Sequence, residues 1–297
     1  MGTLDPAMYE AKGAEAELWL RENELPEEGG GRGAENDDAD DEDEEEMEGT
    51  AEKRAQHAKK IRELDFFRSA LAFITLMESV ATTLEKFLRS RNSSDAIEAL
   101  RFFVKASHFN LPCAGRGLRQ SWSMVWSSDA VVKDAAQNAF LQVYVAAPGS
   151  VNAPLPPGKV ASNLSDVVAK ANRSERTCLE ELLWKLAKAS KIQPSVYAAL
   201  RKGAIESKRD AQRSAAMNVL AMASAADPAV LGNGRSIALL AESVLGCHSV
   251  EKRNWELIRC SCLAFRRLAS SVKVRLGQEG MCKLATSMIR PQACFHA

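Results

Sequence analysis

The sequence predicts an all-α chain: an α-α superhelix of stacked helix pairs, preceded by a disordered acidic segment. Three observations predict it. Apolar residues from Ala51 onward recur at spacings of three and four, the period of a helix with one buried face. No apolar run of period two sits between hairpin turns, so strands are not expected. The third observation is a split of charge. The 297 residues carry no formal net charge, yet residues 1–50 hold 19 acidic and 3 basic side chains, net −16. The rest of the chain is therefore +16.

Residues 1–52 read as a disordered, acidic, low-complexity segment. Between Glu35 and Glu48, eleven of fourteen residues are acidic, preceded by Gly29, Gly30, Gly31 and Gly33. Repulsion among these charges and the scarcity of apolar side chains leave chain entropy unopposed. The stretch AEAELWLREN is at most a transient helix. Residues 53–290 read as the helical solenoid and 291–297 as an unstructured tail.

Within the solenoid, residues 55–89 form a long helix with Ile61, Leu64, Phe67, Leu71, Ile74, Met77 and Leu84 on one face. Asn92-Ser93-Ser94-Asp95 supplies N-cap residues for the next helix, which buries Ile97, Leu100, Phe103 and Val104. Pro112 opens a third helix, to about Trp126. Ser128-Asp129 opens a fourth, with Val132, Ala136, Ala139 and Val143 facing inward. The Pro-rich stretch at 147–162 breaks the pattern. Helices resume at about 160–171, 174–189, 194–206, 209–225, 232–245, 250–270 and 273–289. Of these, Leu179, Leu182, Leu183 and Leu186 make one stripe, and Trp255, Ile258, Cys262, Phe265 and Ala269 another.

An outer helix, an Asp in a short turn, then Val132-Lys133 and Ala136 on the inner helix is the pattern of a HEAT repeat. Asp caps the second helix, Val and Ala allow close packing, and one unit buries its apolar face only against the next.

Little in the sequence is catalytic. The four His and seven Cys do not form a spaced metal-binding set, and Cys260-x-Cys262 places two thiols on different faces of a helix. Gly115-Arg-Gly117 reads as close helix packing and Gly232-Asn-Gly-Arg-Ser236 as a helix start; neither follows a strand as a phosphate loop does. The longest apolar run, ALAFITLM at 70–77, is too short to span a bilayer. We expect no catalytic residue, no metal, no cofactor, no small-molecule substrate and no membrane association.

The functional signal is basic. Lys105, Arg116, Arg119 and Lys133 lie in the first repeat pairs. Arg201, Lys202, Lys208, Arg209 and Arg213 cluster around one turn. Arg259, Arg266, Arg267 and Lys273 gather near the end, with Arg253 and Arg275 beside them. Any one cluster alone is a solvated face, but a net +16 points to a polyanion. Such residues hold phosphate backbone without reading base sequence. The Trp and Tyr do not interleave with them, which favours duplex over single strands.

The stretch 94–145 also resembles a known family. It carries Ser94-Asp95, Glu98, Phe102-Phe103-Val104, Phe109, Gly117-Leu118-Arg119, Trp126-Ser127, Val132-Lys133-Asp134-Ala135 and Tyr144; Thr177-Cys178-Leu179-Glu180-Glu181-Leu182-Leu183 follows. These residues are similar to the central region of the HEAT-repeat, non-SMC subunits of condensin, over roughly residues 65–275. The resemblance weakens after Lys191 and ends before Gly280–Ala297. It implies a non-catalytic scaffold subunit of the condensin complex for mitotic and meiotic chromosome condensation. The implied partners are the kleisin subunit, the SMC ATPase subunits and duplex DNA or chromatin. The implied location is nucleus and chromosomes, with cytoplasm for part of the cell cycle. The competing expectation is an α-solenoid adaptor for acidic protein cargo, of the transport-receptor or phosphatase-scaffold type.

Overall fold

The computed structural model describes residues 4–23, 42–147, 153–245, 254 and 256–265. Among these the chain is helical, with no strand; one isolated bridge, Ala146 to Pro154, closes the Pro-rich loop. No helix there is long and apolar enough to cross a membrane.

The N-terminal segment departs from the expectation of disorder over 1–52. Residues Pro6–Glu22 form α1, started by Asp5, whose carboxylate accepts from the Ala7 amide at 3.1 Å, and by Pro6 in the first turn. The helix persists because it has a partner. Helix α2, Glu42–Phe87, begins inside the acidic run and receives α1 in antiparallel fashion. The Tyr9 ring meets Phe66 and Phe67, Trp19 lies beside His57, and Arg68 bonds Glu17 at 2.8 Å. A short amphipathic segment that is marginal alone is stable once its apolar side is docked.

Two layers of helices follow. Helix α3 (Ser93–His108) starts on Asn92, and α5 (Ala130–Tyr144) starts on Asp129. Between them, α4 (Ala114–Ser121) ends in a 3₁₀ turn, Trp122–Trp126. The third expected helix is thus shorter than read and tightens at its end. Asp129 does more than cap. It accepts from the Val131 amide at 2.9 Å and from the Ser93 hydroxyl, which belongs to the start of α3. These hydrogen bonds hold its carboxyl below the usual range. One Asp therefore ties two successive pairs together at their turn. Val132 and Ala136 are buried as the repeat pattern requires.

Helix α6 (Pro157–Lys170) starts inside the expected 147–162 loop, because Pro157 occupies the first helical turn. It is followed by α7 (Arg173–Lys188), α8 (Pro194–Glu206), α9 (Asp210–Ser224), a 3₁₀ turn at Pro228–Leu231, α10 (Gly234–Leu245) and α11 at 256–265. The layer of α3, α5, α6, α8 and α10 covers a second layer formed by α2, α4 with its 3₁₀ turn, α7 and α9, and α11 lies beside α7 and α9. Two apolar clusters result. Phe103, Leu100, Ile74, Ala81 and Leu118 centre the first; Leu164, Leu179, Leu182, Leu183, Leu186, Met217, Leu220 and Phe265 centre the second.

Two stripes are rotated relative to expectation. Ile61 on α2 is exposed rather than packed. On α11 Phe265 is buried as expected, but beside Leu257, Cys260, Ser261 and Ala264, while Ile258 and Cys262 of the expected row are half-buried against the same cluster. The expected 273–289 helix and 291–297 tail lie outside the described residues.

Candidate nucleic-acid interface

The start of α7 organises the basic residues. Asn172 caps it in a reciprocal box: its side chain accepts from the Glu175 amide at 2.9 Å, and Glu175 accepts from the Asn172 amide at 2.8 Å. Leu179, Leu182, Leu183 and Leu186 then bury one face completely. The opposite face of the first two turns lies at the surface, with a cleft on each flank.

One cleft, about 390 Å³, lies between the end of α2, α4 and α7. Arg89, Arg116, Arg119 and Gln120 line it against Ser174, Glu175 and Cys178. Glu85 fixes one wall, accepting from Arg116 Nε at 3.2 Å and from Gln120 at 3.1 Å. Arg89 and Arg119 are in no salt bridge among the described residues, and both are exposed.

The other cleft, about 670 Å³ and mainly polar, lies between α7, α9 and α11. Arg173, Arg176 and Arg259 line it with Thr177 and the buried Asn218. Glu256 orders the arginines. It accepts from Arg259 at 2.9 and 2.7 Å and from Arg176 at 3.3 Å. Those hydrogen bonds, Arg259 first, lower its carboxyl from 4.5 to about 2. Arg176 also bonds the Ala171 carbonyl at 3.2 Å. Arg176 and Arg259 are thereby held in place, Arg173 is exposed, and Glu180 also lines the cleft.

Six arginines, from α4, α7, α11 and the turn after α2, thus frame one face of the second layer. Guanidinium groups offer paired donors matched to phosphate oxygens and carry charge at any physiological pH. They can hold a phosphate backbone; nothing in their arrangement reads bases.

The expected residues are distributed unevenly over this surface. Arg116, Arg119 and Arg259 are brought to it. Lys105 is on the other layer, at the rim of a groove of about 520 Å³ between α3 and α5 with an apolar floor of Ile97, Leu100, Val104 and Ala135. Lys133, half-buried on α5, joins neither cleft. Lys202, Lys208 and Arg209 are exposed around the α8–α9 turn, with Lys202 near Glu206 at 3.7 Å.

Arg201 and Arg213 have internal tasks instead. Arg201 donates to the Val230 carbonyl at 2.6 Å, and burial lowers its pKa. Arg213 donates to Ala204 O at 3.1 Å and to Ser243 O at 2.8 Å, joining α8, α9 and α10. Bare helix ends leave carbonyls without partners, and these two cations satisfy them. Arg266, Arg267 and Lys273, with Arg253 and Arg275, lie outside the described residues. Arg89, Arg173 and Arg176 were missed because they are scattered in sequence; only the stacking of α2, α4, α7 and α11 gathers them.

The thiols are packed rather than poised. Cys260 is buried and pushed up to about 12, first by desolvation and then by Glu256; burial also raises Cys113 and Cys262.

No protein-family model matches the chain. Curated relatives do. Condensin complex subunit 1 of Mus musculus is 23% identical over 217 residues, covering 72% of this chain and 15% of the relative. Condensin complex subunit 1 of Homo sapiens gives the same identity and coverage. That of Saccharomyces cerevisiae is 22% identical over 227 residues, covering 68% of this chain and 19% of the relative. The matched part of the chain thus spans less than a fifth of the length of these relatives. Five such proteins, from mammals to two yeasts, match about 70% of this chain, which is similar to a portion of condensin complex subunit 1.

Proposed function

We propose that this chain is a scaffold portion of a condensin-type complex that holds duplex DNA, without sequence preference, across the outer face of α7. The observation that carries this reading is the gathering of Arg89, Arg116, Arg119, Arg173, Arg176 and Arg259 onto one layer from three helices and the turn after α2. The similarity to condensin complex subunit 1 supports the setting: a non-catalytic subunit in the nucleus, on chromosomes and for part of the cell cycle in the cytoplasm, with kleisin and SMC ATPase subunits as partners. The role of the chain is then to contribute a surface for condensation, with the chemistry left to other subunits.

The test is anisotropy of a labelled duplex titrated with the full chain at several salt concentrations. Binding at about 50 mM salt that falls steeply by about 200 mM is the expected result. Arg89→Ala and Arg119→Ala each lower the salt slope by about one and weaken all duplex sequences alike. No binding at about 50 mM salt overturns the reading.

One observation favours a second reading, an adaptor for acidic cargo. The α3–α5 groove has an apolar floor with Lys105, Arg101 and His108 on its rim, a setting for an acidic peptide with aliphatic anchors. Lys105→Glu together with Arg101→Glu leaves duplex binding intact under the favoured reading. Recovery of acidic peptides but no duplex supports the adaptor.

A further inference from the structure

Helix α2 presents an apolar seam to solvent. Phe66, Phe73, Leu76, Val80 and Phe87 are five of the twelve large apolar side chains exposed among the described residues, with Phe66 62% and Leu76 56% accessible. They lie along one line. Phe66, Phe73, Val80 and Phe87 are spaced by seven, the a positions of a heptad, and Ser69, Leu76 and Thr83 are its d positions. The seam is about 32 Å long at 1.5 Å per residue.

The polar groups beside it are already satisfied. Thr75 donates to Leu71 O at 2.9 Å, Ser79 to Leu76 O at 2.7 Å, and Thr82 to Ser79 O at 2.7 Å, so this flank loses no hydrogen bond on burial. Between Ser69 and Leu84 the only charged residue is Glu78, which is half-buried on the inner side. Helix α1 docks nearer the start of α2, and Phe73, Leu76, Val80 and Phe87 remain exposed beyond it. The linker 24–41 holds eight acidic residues and one large apolar one, Leu25, and cannot cover an apolar seam.

The seam is complementary to itself in the antiparallel sense. When a positions face d positions about a two-fold axis between Ile74 and Thr75, each Phe73 meets the Leu76 of the other copy. Phe66 meets Thr83, Val80 meets Ser69, and Phe87 at each end meets Arg62. On the flank, Ala72 meets Ser79, allowing close approach, and Asp65 meets Lys86 at both ends. Asp65 and Lys86 are exposed and in no salt bridge among the described residues. In a parallel pairing neither charge finds an opposite one.

We propose that a second copy of this chain docks on α2, forming an antiparallel helix pair along Phe66–Phe87. The area buried, on the order of 1,000 Å², is at the lower end for specific pairing, so the dimer is a reversible one. It would join two solenoids through α2.

Sedimentation equilibrium of the full chain tests this, with circular dichroism confirming unchanged helicity in each variant. The expected species at micromolar concentration has twice the 32.4 kDa chain mass. Asp65→Lys, which sets Lys against Lys86, shifts the chain to monomer. Adding Lys86→Asp to that variant restores the dimer, an outcome that a seam made for a different partner does not give. A monomer at every concentration overturns the proposal. So does a dimer insensitive to Leu76→Asp, which places the interface elsewhere, and one insensitive to Asp65→Lys, which excludes this register.

Discussion

Gly117 and Phe103 show how single residues set the spacing of the solenoid. A Cβ on Gly117 would come within 2.2 to 2.4 Å of the Phe103 ring, a distance real side chains do not tolerate. Phe103 is fully buried and stacks edge-on against Phe102 at 5.3 Å. Gly117→Ala therefore forces Phe103 out of its place and destabilises by about 1–3 kcal/mol. Gly115, two residues away, has nothing within 4 Å of its added Cβ. Gly115→Ala stabilises by up to about 1 kcal/mol through helix propensity. Chemical denaturation of the two variants measures both effects. The sequence reading of this pair as close packing holds for Gly117 alone; which glycine touches a ring depends on the facing helix. Ser190 makes a similar point. It ends α7 in the left-handed region, with φ 52°, a position that glycine usually takes, and only the backbone reveals it.

At the scale of elements, caps and stripes decide where helices begin and which face they bury. Asn92 and Asp129 were readable as caps because short polar side chains before apolar periodicity satisfy free amides, and Asn172 caps α7 in the same way. The link from Asp129 to Ser93 was not readable, because it joins residues 36 apart. The docking of α11 on α7 runs through Glu256, and its pH dependence follows. The carboxyl is depressed from 4.5 to about 2, so its contribution is complete above about pH 4.5 and is lost as pH falls through about 2. Glu256→Gln lowers the melting temperature most above pH 4.5, and the gap from the parent chain closes toward pH 2. A constant gap across that range contradicts the role given to Glu256. Arg201 and Arg213 belong at this scale too: basic residues that read as surface charge are instead bound to carbonyls between helices.

For the whole molecule, the opposition of charge is the dominant property. The first 50 residues carry net −16 and the remainder +16. An acidic run and duplex phosphates are both polyanions, and an arginine face attracts either one. Deleting residues 35–48 is expected to raise duplex affinity on the order of tenfold, read in the same anisotropy titration. Unchanged affinity separates the acidic run from the interface and leaves the fold untouched. The proposed α2 pairing would bring two acidic runs and two arginine faces into one particle, making duplex affinity dependent on chain concentration as well as on salt.

The sequence by itself determined the helical class, the position of most helices, the Asp129 turn with Val132 and Ala136, and the likeness to condensin complex subunit 1. All of these rest on local spacing, and local spacing is what a linear chain records. The tertiary structure alone decided that residues 6–22 are helical, because their stability comes from docking on α2. It also decided which basic residues act together. Arg89, Arg116, Arg173 and Arg259 are far apart in the chain and meet only because α2, α4, α7 and α11 pack together. Charge is a property of residues, but an interface is a property of the surface that packing assembles.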